Sequence, residues 1–290
     1  MSNSEITLAL TEEYANNWLR CRPIDIGDLF SFESINGIKR YDAFNLAENG
    51  ISQLLTLDVY NGEAGNIDRL SVVMGVKKAV VPPADDAEQT RDIFQPVLEA
   101  KLKKAINGST GYYFTLSPVD ELFTLRQVHR RYKIPVSQNN EEIVDMEEQI
   151  SPKVAQLLIL KWQGLTTANL ISAFEGLTGL NEINLAGDKV ELVLYGQKIA
   201  RVRRYNYDAL ESAKIIERLR NRMQATFTLH LGAGLVDPIF HPYNFRPIIK
   251  IDGELPSPVV RPDFFDTSRP CPPFCEPLSV IPVGPIVGPE

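Results

Sequence analysis

Apolar and polar positions alternate in short runs through the first third of the chain, the spacing of strands that turn one face to a core. Residues 29–35 (LFSFESI) and 38–44 (IKRYDAF) flank Asn36-Gly37, which predicts a hairpin because both turn residues tolerate positive φ. Phe30 and Phe32 then share one strand face, with Ser31 and Glu33 on the other. Residues 51–60 (ISQLLTLDVY) and 70–76 continue as predicted strands, joined by the Gly-containing turn 61–66. The spacing changes over residues 85–106, where Ile93, Val97, Leu98, Leu102 and Ile106 recur at helical intervals. Acidic residues come early there and Lys101, Lys103 and Lys104 late, so a helix kinked or split at Pro96 is predicted. After a strand over 111–116, Ser117-Pro118 supplies a cap and first-turn proline for a helix reaching Lys133, before Pro135.

Residues 137–150 are polar and acidic, and the internal boundary is placed there. Helices are predicted near 152–162 and 167–175, the first closed by Gly164, and a hairpin over 189–195 and 198–205. A helix over 208–224 would bury Leu210, Ala213, Ile216, Leu219 and Met223, and a strand over 226–231 follows. Helices mixed with antiparallel hairpins make the class α+β, in four parts. These are a β-rich domain over 1–136, an acidic linker over 137–150, a small α+β domain over 151–236 and an extended arm over 237–290.

Composition sharpens the last of these. Thirteen of the 20 prolines lie between Pro238 and Pro289, which argues against helix or central sheet in the arm. The arm is too aromatic for a simple linker, since Phe240, Tyr243, Phe245, Phe264, Phe265 and Phe274 interrupt the prolines. An extended or polyproline II segment laid on a surface fits that composition.

The formal net charge of −7 argues against an electrostatically driven nucleic-acid binder. No run approaches the ~18 apolar residues of a membrane span. The longest candidate, 154–162, is broken by Gln156 and Lys161. The opening residues MSNSEITLAL do not read as a secretory signal, and three cysteines make no disulfide framework, so a cytoplasmic location is expected. Cys271 and Cys275 lack a second close pair for zinc.

Gly232-Ala233-Gly234 follows a strand, but Asp237 stands where a dinucleotide fingerprint needs its third glycine, so the glycines are read as the exit from the body. With three histidines, and no nucleophile elbow, phosphate loop or zinc-protease motif, no catalytic residues, metal ligands or cofactor are expected. Arg201, Arg203 and Arg204 beside Tyr205 and Tyr207 could serve a nucleic-acid contact, which the acidic total disfavours. The basic stretch Arg126, Arg130, Arg131 and Lys133 reads as a docking patch for an acidic partner, and Tyr243, Phe245, Phe264 and Phe265 as docking anchors of the arm.

The segments LISAFEGLTG (170–179) and VELVLYGQKIARV (190–202) resemble the small α+β modules of phage tail and baseplate proteins, from contractile tails and related injection systems. The segment HPYNFRPIIKIDGELPSPVV (241–260) is similar in kind to their terminal arms. The resemblance implies a non-enzymatic assembly protein, with homo- and hetero-oligomeric protein partners, incorporated into a virion or phage-like particle. An enzyme with a site between the two halves, around His129, Asp120, Glu121 and Arg126, is the alternative, and a binding module for an acidic or nucleic-acid ligand is a third reading.

Overall fold

Thr7 caps the first helix: its Oγ1 accepts from the Leu10 amide at 3.2 Å. Thr11, Ala15, Trp18 and Leu19 then form one buried face at helical spacing. The computed structural model describes residues 4–22, 25–34, 37–81, 89–119, 152–166, 170, 173–177, 191–194, 197–234, 244–254, 263–265 and 269–271. In chain order, β1 (Glu5–Ile6), α1 (Leu8–Arg20) and α2 (Ile26–Leu29) precede β2 (Ser31–Ser34), β3 (Gly37–Arg40), β4 (Ala43–Leu46) and α3 (Glu48–Leu57). Next come β5 (Val59–Tyr60), β6 (Glu63–Ala64), β7 (Ile67–Val73), β8 (Val76–Val81), β9 (Gln89–Phe94), β10 (Val97–Ile106), β11 (Ser109–Thr115) and β12 (Ser117–Pro118). The second half holds α4 (Pro152–Gln163), β13 (Glu175–Leu177), β14 (Glu191–Leu194), β15 (Gln197–Arg201), β16 (Arg204–Tyr207) and α5 (Ala209–Arg220). It ends with β17 (Met223–Gly234), β18 (Asn244–Glu254), β19 (Asp263–Phe265) and β20 (Arg269–Cys271).

The class is α+β. A six-stranded sheet, β1-β11-β10-β7-β16-β20, and a five-stranded sheet, β12-β4-β17-β18-β19, carry the fold. Their inner faces share one buried cluster: Leu70, Val72, Leu98, Leu102 and Tyr205 from the first, and Phe44, Phe227, Leu229, Ile249 and Phe265 from the second. Outside the six-stranded sheet, Ala15 of α1 packs on Val73 and Val97. Outside the five-stranded sheet, Ala155 and Ile159 of α4 pack on Ile248 and Phe264. Gly232 permits that last approach, since a Cβ there would stand 3.3 Å from Leu158 Cβ and 2.7 Å from Ile248 Cδ1. The glycine is a packing residue, in keeping with the rejected dinucleotide reading. Residues 137–150 lie outside the described residues, and strands from both sides of them share sheets: β7 pairs with β16, and β4 with β17.

Several expectations hold. The β2–β3 ladder forms, with Ser34 paired to Gly37. The strand over β11, helix α4 and the β14–β15 hairpin are also present. Others are corrected. Residues 51–57 are helical, burying Ile51, Leu54 and Leu57 while Ser52 and Thr56 stay exposed. Their period is three to four, which an isolated apolar run of this length conceals. The described part of 85–106 is strand, with Leu98, Ala100 and Leu102 turned to the core. Its outer face is buried too, at Val97 and Glu99, so the alternation is invisible in the sequence. Pro96 sits in the connection beside Gln95, whose Nε2 donates to the Leu116 carbonyl at 2.6 Å. Ser117-Pro118 opens no helix but pairs with Asn45 and Phe44, and residues 120–151 lie outside the described residues.

Of the helix expected over 167–175, residues 170, 173 and 174 are helical and Glu175 already opens β13. In α5 the buried face is Glu211, Ser212, Ile215, Ile216 and Leu219, with Leu210 and Met223 exposed. A capping box between Asp208 and Glu211 sets the helix phase. Ser212 Oγ is drawn inward to accept from the Leu70 amide at 2.8 Å and donate to the Tyr207 carbonyl at 3.1 Å.

The arm differs most. β18 pairs with β17 from Met223↔Glu254 to Gly234↔Asn244 and lies between β17 and β19, inside the sheet. Pro247 fits because its pair with Leu231 exchanges no ladder bond. The Leu231 amide donates instead to the Asp42 carbonyl on the far side, and the Pro247 carbonyl turns outward to accept from the Tyr207 hydroxyl. Phe245 is fully enclosed by rings: its centroid lies 4.9 Å from Phe174, 5.1 Å from Tyr205 and 5.5 Å from Trp162. Phe245→Ala is therefore expected to lower unfolding stability by about 3–5 kcal/mol in denaturant titration. A purely intermolecular anchor would leave that midpoint unchanged.

Candidate functional site

Charged side chains converge inside the protein on the outer face of the six-stranded sheet. The register aligns Tyr113, Glu99, Ser71 and Asn206 across β11, β10, β7 and β16. Arg204, two residues before Asn206, shares their face by alternation and reaches back to Glu99, with Nη1 2.9 Å from Oε2. Both partners are buried, and Arg204 Nη2 has no hydrogen-bond partner among the described residues. Ser71 Oγ donates to Asn206 Oδ1 at 2.9 Å. Burial, with Glu99 beside it, pushes the Tyr113 hydroxyl up to about 12, partly offset by Arg204.

The chemistry of this row is limited. Ser71 hands its proton to an amide oxygen, which cannot serve as a base, so nothing activates it as a nucleophile. Tyr113 stays a phenol at neutral pH, and Glu99 is committed to a guanidinium. What the row does well is fix register, because a one-residue slip of β10 would turn Glu99 into the core.

A second polar set grips the C-terminus of α4. Arg40 Nη1 donates to the carbonyls of Trp162 at 3.1 Å and Leu165 at 2.8 Å, supplying a cation where a helix end is negative. Trp162 Nε1 donates to the Tyr41 carbonyl at 3.1 Å, and Gln163 Nε2 donates to Asp42 Oδ2. Burial raises the Asp42 carboxyl above its ordinary range despite that bond. Asp58 fastens the β5–β6 hairpin, its Oδ1 accepting from the Ile67 amide at 2.9 Å and its Oδ2 from Gly65 at 3.1 Å, and also holds Arg220. Arg222 Nη2 pins β19 through Asp263 Oδ2 at 2.8 Å.

Arg126, Arg130, Arg131, Lys133 and Tyr243 lie outside the described residues, as do Asp120, Glu121 and His129 of the enzyme alternative and Cys275. Phe245, Phe264 and Phe265 are buried in the chain's own core, so as placed they present no docking surface. Tyr205 and Tyr207 are likewise buried and Arg204 is paired with Glu99, which removes them from base stacking. Among the described residues no three potential metal ligands cluster, and no helix is long and apolar enough to cross a membrane. His230 is buried in its strand, as a structural histidine would be. Sequence reasoning missed Glu99, Arg204 and Asp42 as a set. The available signal was a carboxylate, Glu99, set between Val97-Leu98 and Ala100. No family model, curated protein or solved structure matches the chain.

Removing Glu99 alone, as Glu99→Ala, strands a buried guanidinium and is expected to cost about 3–5 kcal/mol, while Glu99→Leu with Arg204→Met recovers most of it. Equilibrium unfolding of the two variants beside the parent measures both effects. For Asp42 the folded pKa lies above the unfolded ~3.9, so its ionised form opposes folding at neutral pH and the penalty fades as pH falls through the raised value. Asp42→Asn keeps an acceptor for Gln163. Its melting temperature is expected to exceed the parent's at neutral pH, with the gap closing on acidification.

Proposed function

We propose that the chain is a non-enzymatic structural subunit of a larger protein assembly, of the kind found in phage tails, baseplates and related injection systems. In this reading it is built in the cytoplasm, incorporated into the particle, and holds copies of itself or other subunits through its C-terminal segment. The observation that carries the reading is the composition of the sequence that follows β20. β20 is the edge strand of the six-stranded sheet, paired with β16 from Arg204↔Cys271 to Asn206↔Arg269. The sequence beyond it, residues 272–290, holds six prolines with Leu278, Val280, Ile281, Val283, Ile286 and Val287 between them. Such a composition has apolar surface to bury and interrupts any ladder of its own at six of nineteen positions, which suits a segment laid along a neighbour. The arm proposed here is thus shorter than the one the proline count first suggests, because β18 and β19 belong to the body.

The body supports a structural role in a second way. Its buried charges are paired or hydrogen-bonded in positions that fix register, helix ends and hairpins, as Glu99–Arg204, Asp42–Gln163 and Asp58–Arg220 do. Subunits whose geometry must be reproduced copy after copy gain from such locks.

Deleting residues 272–290 separates the alternatives. The full chain is expected to form species larger than a monomer at micromolar concentration, read by light scattering on a sizing column. The shortened chain is expected to run as a monomer with its unfolding midpoint unchanged. If deletion instead lowers the midpoint and leaves the mass per particle unchanged, the segment packs on its own body and the proposal fails.

A further inference from the structure

Helix α4 is apolar on both of its faces. Ala155 and Ile159 are buried against Ile248 and Phe264 of the five-stranded sheet, and Trp162 is buried in the main core. Leu157 and Leu160, one turn apart on the opposite face, stay 50% and 36% exposed. A surface helix ordinarily turns polar residues to that side, and a helix that is apolar all round is ordinarily covered all round. Among the described residues the other exposed large apolar side chains are Leu8, Val59, Leu210 and Met223, each on a different element. Such single exposures need no explanation, whereas α4 carries two together.

Charge says what suits this face. The helix has two charged residues, Lys153 and Lys161, and no carboxylate. Lys161 is exposed and follows Leu157 by one turn on the same side. Packing this face on its own copy would set cation against cation, which disfavours a contact between two α4 helices. The sequence beyond β20 has the complementary character. Residues 272–290 contain Glu276 and Glu290, no lysine or arginine, and six large aliphatic side chains. Their prolines offer no amide, and the side of a helix asks for none, since its backbone groups are bonded internally. In polyproline II form, at ~3.1 Å per residue, about six residues match the ~18 Å of a helix of this length. Residues 278–283 supply Leu278, Val280, Ile281 and Val283 over such a span, with Glu276 just ahead of them.

We propose that the outer face of α4, at Leu157, Leu160 and Lys161, receives residues 272–290 of a second copy of this chain. The inference rests on the assembly role proposed above and names the surface that role requires. Leu157 and Leu160 remain open in the single chain, so the contact is assigned between copies. Aliphatic burial supplies the affinity, and the attraction between Glu276 and Lys161 orients the segment along the helix. The contact is heterologous, because the segment given and the helix offered are different surfaces. Each copy can therefore give one and receive one, joining head to tail into a ring or an open filament.

Carbodiimide cross-linking of the full chain tests this, with an equal amount of the same chain carrying heavy nitrogen mixed in while dilute and then concentrated. The reagent joins carboxylates to lysines in contact, and mixed-isotope peptide pairs report links between copies. Mixed-isotope links from Glu276 or Glu290 to Lys161 or Lys153 are expected. Leu157→Gln combined with Leu160→Gln is expected to reduce them at least about tenfold. The unfolding midpoint should stay unchanged, because both side chains are exposed and glutamine keeps the helix propensity. Should the pair lower that midpoint, Leu157→Gln alone takes its place, with a several-fold loss expected. Links that persist in these variants, or that join only chains of one isotope, overturn the inference. Links between copies from residues 272–290 to other lysines, or none to α4 in a chain that still assembles through this segment, overturn it and leave the assembly role standing. A chain that stays monomeric and shows no mixed-isotope link overturns both.

Discussion

Among the described residues, nine aromatic rings in continuous contact hold this protein together, and the rest of the architecture depends on their meeting. Trp18 lies 5.0 Å from Phe174 and 5.9 Å from Phe94, Phe30 stacks on Phe174 at 5.5 Å, and the contacts run outward through Phe44 to Tyr41 and through Trp162 and Phe245 to Tyr205. The members come from α1, α4, β4, β9, β16 and β18 and from the segments beside them, so no single stretch of chain can form the cluster. Both indole nitrogens are satisfied by distant backbone, Trp18 by the Val202 carbonyl at 2.9 Å and Trp162 by that of Tyr41. Edge-to-face geometry and buried donors give the cluster direction as well as hydrophobic weight. It also explains why residues far beyond the acidic segment belong to the same core as the N-terminal strands. Contacts of such sequence separation slow folding, because large loops must close before they form.

What could be read in advance follows from how local each determinant is. α5 is visible because the Asp208–Glu211 box and a charged outer face lie within its own turns. Helix α3 and strand β10 were exchanged for each other because both carry closely spaced apolar residues, and only burial on a second face tells the periods apart. Three of the four Asn-Gly pairs make the same point. Asn61-Gly62 and Asn107-Gly108 form the central residues of two-residue hairpins, all four at positive φ, with Tyr60↔Glu63 and Ile106↔Ser109 closing them. At the pair flanked by the better-looking strands, Gly37 already belongs to β3 and pairs with Ser34, since register there answers to the wider fold and not to the turn.

The polar sites were less legible than the fold, and for a physical reason. Glu99 and Arg204 are separated by over a hundred positions, and each alone resembles a surface charge. Only the pairing of β10, β7 and β16 brings them within 2.9 Å. Asp42 and Gln163 likewise become partners through the docking of α4, which no local pattern announces. His230 alternates with Thr226 and Thr228 on the polar face of β17, so its burial is likewise not legible from its own strand.

Prolines need a different reading from the one their numbers invite. Proline removes a donor, and so is excluded only where a donor is used. Pro152 is the first residue of α4, where the amide has no helical partner. Pro96 lies between strands, and Pro118 and Pro270 lie on edge strands, with the neighbouring Val119 amide making the bond to Ala43. Pro247 sits inside a sheet at a site where its pair exchanges no ladder bond. A high proline count therefore marks backbone amides that the fold does not use, and it does not mark where sheet ends. By that rule residues 244–254, with one proline in eleven, can be a central strand, whereas six of the nineteen positions over 272–290 have no amide to offer a ladder.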